Sequence, residues 1–151
     1  MDQKNLYKEY QSVIATVSAE MGTVLLDIKP YCTTVDLMVS FVKKLSRKMK
    51  RRPFILYMDQ LSAHRSKKVK EECRKHGITI CYNISYTPEL NPIETCFSYV
   101  KQAFKKRRLN ALVNKAEFNF VAEIKRAFKN LAPATVAACI KRSLFLLNTV
   151  K

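Results

Sequence analysis

The sequence predicts an α/β domain with a helical C-terminal part, and three observations carry that prediction. Short runs of β-branched and aliphatic residues alternate with stretches whose apolar residues recur at helical spacing. The 151 residues suffice to bury a core, and 48% of them are hydrophobic, as in a globular chain rather than a disordered one. There are only two glycines, and no repeat or low-complexity linker divides the chain, so residues 1–151 read as one domain.

Residues 11–18 and 23–28 are strand-like, and Met21-Gly22 between them marks a turn, so the pair reads as a hairpin. Thr33 or Thr34 caps a helix running to about Lys50, with Leu37, Met38, Phe41, Val42, Leu45 and Met49 on one face. Pro53 breaks it. Phe54 to Met58 is a nearly all-apolar run, as expected of a strand buried on both faces. Ser66 caps a second helix that stops at Gly77, and residues 78–84 form the next strand. Asn91 caps a third helix with Pro92 in its first turn, where proline is tolerated. Its stripe is Ile93, Phe97, Val100 and Phe104. Two further helices are expected over residues 116–131 and 133–148, with faces Phe120, Ile124, Phe128 and Val136, Ile140, Leu144, Leu147.

Lys and Arg number 28 against 12 acidic residues, a net charge of +16 that calls for a polyanionic partner, most commonly nucleic acid. A membrane surface is the alternative, but no apolar run reaches transmembrane length, and the polar first ten residues do not read as a signal peptide. Lys43, Lys44, Arg47, Lys48, Lys50, Arg51 and Arg52 crowd one segment. Lys105, Lys106, Arg107 and Arg108 form an unbroken run expected at a helix end. Lys67, Lys68 and Lys70 sit at a helix start, where the helix dipole disfavours cations and an external anion offers an explanation. A solvated surface and a nuclear-import signal are the plainer readings of these clusters. Phosphate-backbone binding is the reading preferred at this net charge. Tyr82, Tyr86 and Tyr99 can stack on bases, although packing is the commoner role.

The five cysteines are odd in number and include no Cys-x-x-Cys pair, which reads as reduced thiols inside a cell. Cys73, His76, Cys81 and Cys96 can be drawn as a zinc set, but their spacing fits no usual zinc module.

Two carboxylates stand apart. Asp59 ends the apolar run that starts at Phe54, and Glu94 follows Tyr86-Thr87-Pro88-Glu89-Leu90-Asn91-Pro92-Ile93, with 34 residues between the two acids. Phosphodiester cleavage by two metal ions needs several carboxylates converging on one point. A strand's C-terminal end and a helix start are suitable places for them. Taken singly, each acid has a plain reading: Asp59 as a turn former, and Glu94 as the capping-box partner of Asn91.

Together the two contexts resemble the mariner-type DDE transposases. That family shows a hydrophobic strand ending in Asp-Asn with a nearby His, matched here by Met58-Asp59-Gln60-Leu61-Ser62-Ala63-His64. It also shows a Tyr-Ser/Thr-Pro-Asp/Glu-Leu-Asn-Pro-Ile-Glu block, reproduced from Tyr86 to Glu94. The similarity spans roughly residues 10–108. It implies a ribonuclease H-like fold, a mixed sheet flanked by helices. It implies that Asp59 and Glu94 match metal-binding carboxylates, for Mg²⁺ or Mn²⁺. His64 matches a histidine at the active-site edge, or equally one that only anchors the turn. Pro88, Asn91 and Pro92 shape the loop that aims Glu94.

The match departs from the family in three ways. The family's first catalytic Asp lies on a central strand ahead of the hairpin, and neither Asp2, Asp27 nor Asp36 corresponds to it. Gln60 replaces the common Asn, and no helix-turn-helix segment lies upstream in this sequence. The expectation is therefore a domesticated, catalytically inactive, transposase-derived DNA-binding subunit. It needs no cofactor, works in the nucleus and serves as an adaptor in a larger complex that can be DNA-modifying. The alternative is an active Mg²⁺- or Mn²⁺-dependent nuclease or transposase whose third carboxylate comes from a partner, or from Asp27 after rearrangement. Without the first strand, either the hairpin pairs directly with the Phe54–Met58 strand or a partner protein covers the edge.

Overall fold

The computed structural model describes residues 11–149. Ser12–Ser18 (β1) and Gly22–Lys29 (β2) form the hairpin, antiparallel, with a bulge between Thr16 and Val17. Gly22 closes the turn with φ of +68°, a left-handed conformation open to glycine at little cost. The next helix, α1, spans Val35–Lys48; Thr34 caps it, its hydroxyl accepting from the Leu37 N–H at 3.3 Å. Phe54–Met58 (β3) follows, then a short helix Ser62–Arg65 (α2), which the sequence reading missed. Lys67–Lys75 (α3) starts at Ser66, and its chain turns at Gly77 into Ile78–Tyr82 (β4). A 3-10 turn at Pro88–Leu90 leads into Pro92–Val113 (α4), then Phe120–Lys129 (α5) and Pro133–Thr149 (α6).

The strands form two separate ladders. β1 pairs with β2, and β3 pairs in parallel with β4, Leu56 opposite Ile80. Of the two expected ways to close the sheet, direct pairing of the hairpin with β3 does not occur: among the described residues no strand lies between β1 and β3. The ladders are held side by side by α1. Met38, Phe41, Val42 and Leu45 share one buried cluster with Val24 of β2, Leu56 and Met58 of β3, Val69 and Cys73 of α3, and Ile78 of β4. On the opposite face of the hairpin, Val13, Ala15 and Leu26 pack on Val100, Ala127 and Phe128 of α4 and α5. Val17 packs on Cys96, Leu131, Val136 and Cys139.

Four expectations need correcting. β3 is not buried on both faces: Leu56 and Met58 are buried, but Ile55 is 73% exposed, because the helices that cover the hairpin's outer face do not reach it. α6 turns Val136, Cys139 and Ser143 inward and leaves Leu144 and Leu147 exposed, so its apolar face is not continuous along its length. α5 begins at Phe120, where Asn119 caps it by accepting from the Ala122 N–H at 2.9 Å, rather than near residue 116. The Lys105–Arg108 run lies within α4, which continues to Val113.

The two glycines make a paired test. A Cβ added at Gly22 would sit 2.8 Å from the Leu131 carbonyl oxygen, whereas one at Gly77 meets only Pro53 at ordinary contact distance. Gly77→Ala is expected to cost about 1–2 kcal/mol, the left-handed penalty alone. Gly22→Ala costs more, since backbone must also move. Urea denaturation of both variants checks the order; equal costs would refute the close approach.

Candidate active-site cleft

Parallel pairing of β3 with β4 brings the ends of both strands to the same edge. Asp59 follows the last residue of β3. Its Oδ1 accepts from the Leu61 N–H at 3.1 Å and lies 2.6 Å from His64 Nδ1. α2 thus folds His64 back onto the acid, and the Tyr82 hydroxyl fixes that turn by donating to the His64 carbonyl at 3.0 Å. His64 therefore anchors the turn and touches the acid at once.

The β4–α4 loop is held by a polar network that the sequence reading did not find. Asn83 is buried; its Oδ1 accepts from the Tyr57 hydroxyl at 2.6 Å, and its Nδ2 donates to the Thr87 carbonyl at 2.8 Å. Gln60 donates to the Asn83 carbonyl at 2.9 Å, so the residue that replaces the family's Asn is used to tie β3's end to β4's end. The Asn91 side chain accepts from the Ile93 N–H at 3.4 Å, which starts α4 and sets Glu94 in its first turn. Ser143 of α6 donates to the Glu89 carbonyl at 3.2 Å, bracing the loop from behind. The signal for Asn83 was its place one residue after the strand, hidden when the strand was drawn to residue 84.

Asp59 and Glu94 line the same cleft of about 440 Å³, together with Gln60, Arg65 and Tyr86. Tyr86 is fully exposed with φ of +62°. Packing was the commoner role expected for it, and the structure shows none. Tyr99 is also exposed, and Tyr82 is half-buried under the Lys70 ammonium, 5.9 Å from its ring centre. Asp27 lines no part of this cleft. It sits on β2, and its carboxyl is 2.8 Å from Lys44 Nζ. Burial pushes the Asp27 carboxyl up, but the Lys44 hydrogen bond and charge, with Lys29, outweigh it and hold it below the ordinary carboxylate value.

Among the described residues no three His, Cys, Asp or Glu side chains converge on one point. Two-metal chemistry asks for more carboxylates than Asp59 and Glu94, and one Asp59 oxygen is already engaged by His64. The residues present do not by themselves make up that site, and no step through a metal follows from them. The cysteines and His76 do not gather either. Cys73 and Cys96 lie in different buried clusters, and His76 Nε2 is 3.0 Å from Glu72. Burial, then the Glu72 charge, pushes the Cys73 thiol up to about 11. Burial, then the neighbouring Cys139, pushes Cys96 up to about 12. Neither supplies a thiolate readily.

The basic residues divide by environment. Lys43, Lys44, Arg47, Lys48, Lys50, Arg51 and Arg52 are all on α1 and the turn after it. Lys44 is spent on Asp27, and Lys43 lies 4.0 Å from Glu72. Arg47, Lys48, Lys50, Arg51 and Arg52 form no ion pair among the described residues. Lys50 and Arg51 have φ of 55° and 56°, and the Arg51 N–H reaches the Ser46 carbonyl at 2.8 Å, so a helix ending that favours glycine is built from two cations. Lys67 pairs with Glu71 and Lys68 with Asp36, so an external anion is not required to explain them. Lys105 and Lys106 are exposed, whereas Arg107 pairs with Glu123 at 3.3 Å and Arg108 lies over the Phe120 ring at 5.2 Å.

The sequence profile of a family described as DDE superfamily endonuclease matches residues 4–114, and this chain belongs to that family. No curated protein sequence matches the chain. Among solved structures it is similar to the Mos1 transposase catalytic domain with raltegravir and Mn, at 12% identity and a TM-score of 0.59, over 89% of this chain and 78% of that one. The catalytic domain of Mos1 mariner transposase gives 13% identity and the same TM-score, over 89% and 76%. At such identity the likeness establishes the fold, a mixed α/β ribonuclease H-like core with a helical C-terminal part. The chain is thus a domain of the DDE superfamily endonuclease family.

The left-handed pair predicts a trade-off. Lys50→Gly removes strain and is expected to stabilise the chain by roughly 1 kcal/mol while removing one cation. Thermal unfolding checks it; a loss of stability would show that the Lys50 side chain, not the backbone, governs that turn.

Proposed function

We propose that this chain is a domesticated, catalytically inactive transposase-derived subunit. It engages duplex DNA through its basic surface and acts as an adaptor, with a protein partner, in a larger nuclear complex of the DNA-modifying kind. The observation that carries the DNA reading is the group Arg47, Lys48, Lys50, Arg51 and Arg52, without acidic partners among the described residues, in a chain of net charge +16. Such cations release counterions from phosphates and give salt-sensitive, largely sequence-independent binding. Exposed Lys105 and Lys106 on α4 add two further cations, and Tyr86 offers a ring for stacking beside the cleft. Two carboxylates, where the chemistry requires more, support the absence of catalysis by the chain alone. No helix among the described residues is long and apolar enough to cross a membrane.

A second reading has an observation in its favour. Asp59 and Glu94 line one cleft, so a third carboxylate from a partner, with Mg²⁺ or Mn²⁺, would complete a nuclease there.

Both readings are tested by binding a fluorescent duplex with and without Mg²⁺ or Mn²⁺ while cleavage is followed on a gel. The expected result is salt-sensitive binding without cleavage, unchanged in Asp59→Asn. Replacing Lys48, Lys50, Arg51 and Arg52 by Ser should flatten the salt dependence by about one in slope for each phosphate no longer neutralised. Metal-dependent cleavage that disappears in Asp59→Asn would overturn the non-catalytic reading.

A further inference from the structure

α4 carries large apolar side chains on two different faces. Its first half is buried through Cys96 and Val100. Further along, α5 and the residues before it fold back on it: Phe118 and Phe120 meet Phe104 with ring centres 5.4 and 5.8 Å away, Glu123 takes Arg107, and Arg108 lies over Phe120. Beyond these contacts come Leu109, Leu112 and Val113, 61%, 67% and 73% exposed. Spacings of three and four residues put them on one face of the helix, and Lys105 and Lys106 flank that face one turn earlier.

This end of α4 is a closed helix terminus. The Ala116 N–H reaches the Ala111 carbonyl at 2.9 Å and the Lys115 N–H the Leu112 carbonyl at 3.3 Å, with Lys115 at φ of 51° in the left-handed position that favours glycine. Helical turns in proteins are ordinarily held by burial of an apolar face. Here the backbone closes the turn while the apolar face is bare. Lys105, Lys106 and Lys115 form no ion pair among the described residues, and no acidic residue occurs from Lys101 to Ala116. The patch is therefore apolar in the middle and cationic at both ends.

The two chemistries together select the occupant. Phosphates satisfy the lysines and leave three apolar side chains in water. A second copy of the chain brings the same cations against these, since a two-fold contact sets like patches face to face. The first ten residues hold Lys4 and Lys8 against Asp2 and Glu9, so they bring no net charge to complement the patch. α4 satisfies its own backbone, so an occupant meets side chains only. Another helix is suited to that, because it too needs no outside backbone partner and packs its apolar stripe against the ridge of its neighbour. Flanking carboxylates on that helix would meet the lysines.

We propose that the last turns of α4 are a docking face for an acidic amphipathic helix of a partner protein. Leu109, Leu112 and Val113 take its apolar stripe, and Lys105, Lys106 and Lys115 take its carboxylates. This docking face gives chemistry to the partner half of the proposed function and rests on that half.

The probe is the labelled peptide Glu-Leu-Glu-Glu-Leu-Leu-Glu-Ala-Leu-Glu-Glu-Leu-Leu-Glu, whose leucines share one helical face. Its control has the same composition, shuffled so that no stripe forms. Anisotropy with the full chain in about 0.15 M salt screens long-range attraction. The striped peptide is expected to bind at least about tenfold more tightly than the control. Leu109→Gln, Leu112→Gln and Val113→Gln combined, with melting and duplex binding unchanged, should remove that difference. Lys105→Glu with Lys106→Glu should transfer binding to a striped peptide with Lys at every Glu position. Equal binding of the two acidic peptides would overturn the docking face. So would a lipid surface as the occupant, seen as phosphatidylserine vesicles that need the three apolar residues while the peptide does not bind. Self-association lost in the triple variant would assign the face to a second copy instead. Peptide binding that survives the triple variant strikes this face and leaves an acidic partner standing, whereas no binding of either acidic peptide strikes both. Loss of duplex binding in the unaltered chain strikes the DNA reading alone.

Discussion

The rest of the structure depends on the packing of one face of α1. Among the described residues no hydrogen bond of a strand ladder joins the two sheets, and what fixes their spacing is the burial of Met38, Phe41, Val42 and Leu45 against residues from both. Sheet continuity ordinarily does this work through directional hydrogen bonds. Here a non-directional apolar contact does it, stabilising by roughly 1.5–3 kcal/mol for each large side chain buried. Capping by Thr34 and the closing turn at Lys50 and Arg51 therefore matter beyond the helix itself, since they set how far the buried stripe extends.

That arrangement explains why the cleft is ordered despite a divided sheet. Asp59 and Glu94 are both positioned from the β3–β4 ladder, which is intact. Tyr57 on β3, Asn83 after β4 and Gln60 after Asp59 form one hydrogen-bonded unit that carries the loop to α4. α6 supports the same loop through Ser143. The fold thus holds two carboxylates in place from the β3–β4 ladder alone. The frame that holds the two acids is also what packs the loop.

Charge follows a similar division. Many of the acids are occupied in holding bases on the fold: Asp27 with Lys44, Glu72 with His76 and Lys75, Glu123 with Arg107. The cations left over concentrate where α1 ends, and two of them accept left-handed backbone there. Strain of that kind persists only when surrounding contacts impose it. Here the Ser46 carbonyl, reached by the Arg51 N–H, is one such contact.

Much of this was legible from residue order. Strand and helix types, the caps at Thr34, Ser66 and Asn91, the turn at Gly22 and the pairing of Asp59 with Glu94 in one family pattern all depend on neighbours within a few positions. Such local preferences act before any tertiary contact forms. What only the tertiary structure decided depends on residues far apart in the chain. Whether β3 is covered on both faces is a question about α4 and α6, so an all-apolar run looked doubly buried when Ile55 is not. Whether Lys68 or Arg107 is available to an anion depends on Asp36 and Glu123. Periodicity identified α6 as amphipathic, but the extent of its buried face was set by where its neighbours end. The spacing of β1 and β3 among the described residues is likewise a property of how two ladders lean on one helix. Sequence specifies which strands exist, and packing specifies what lies between them.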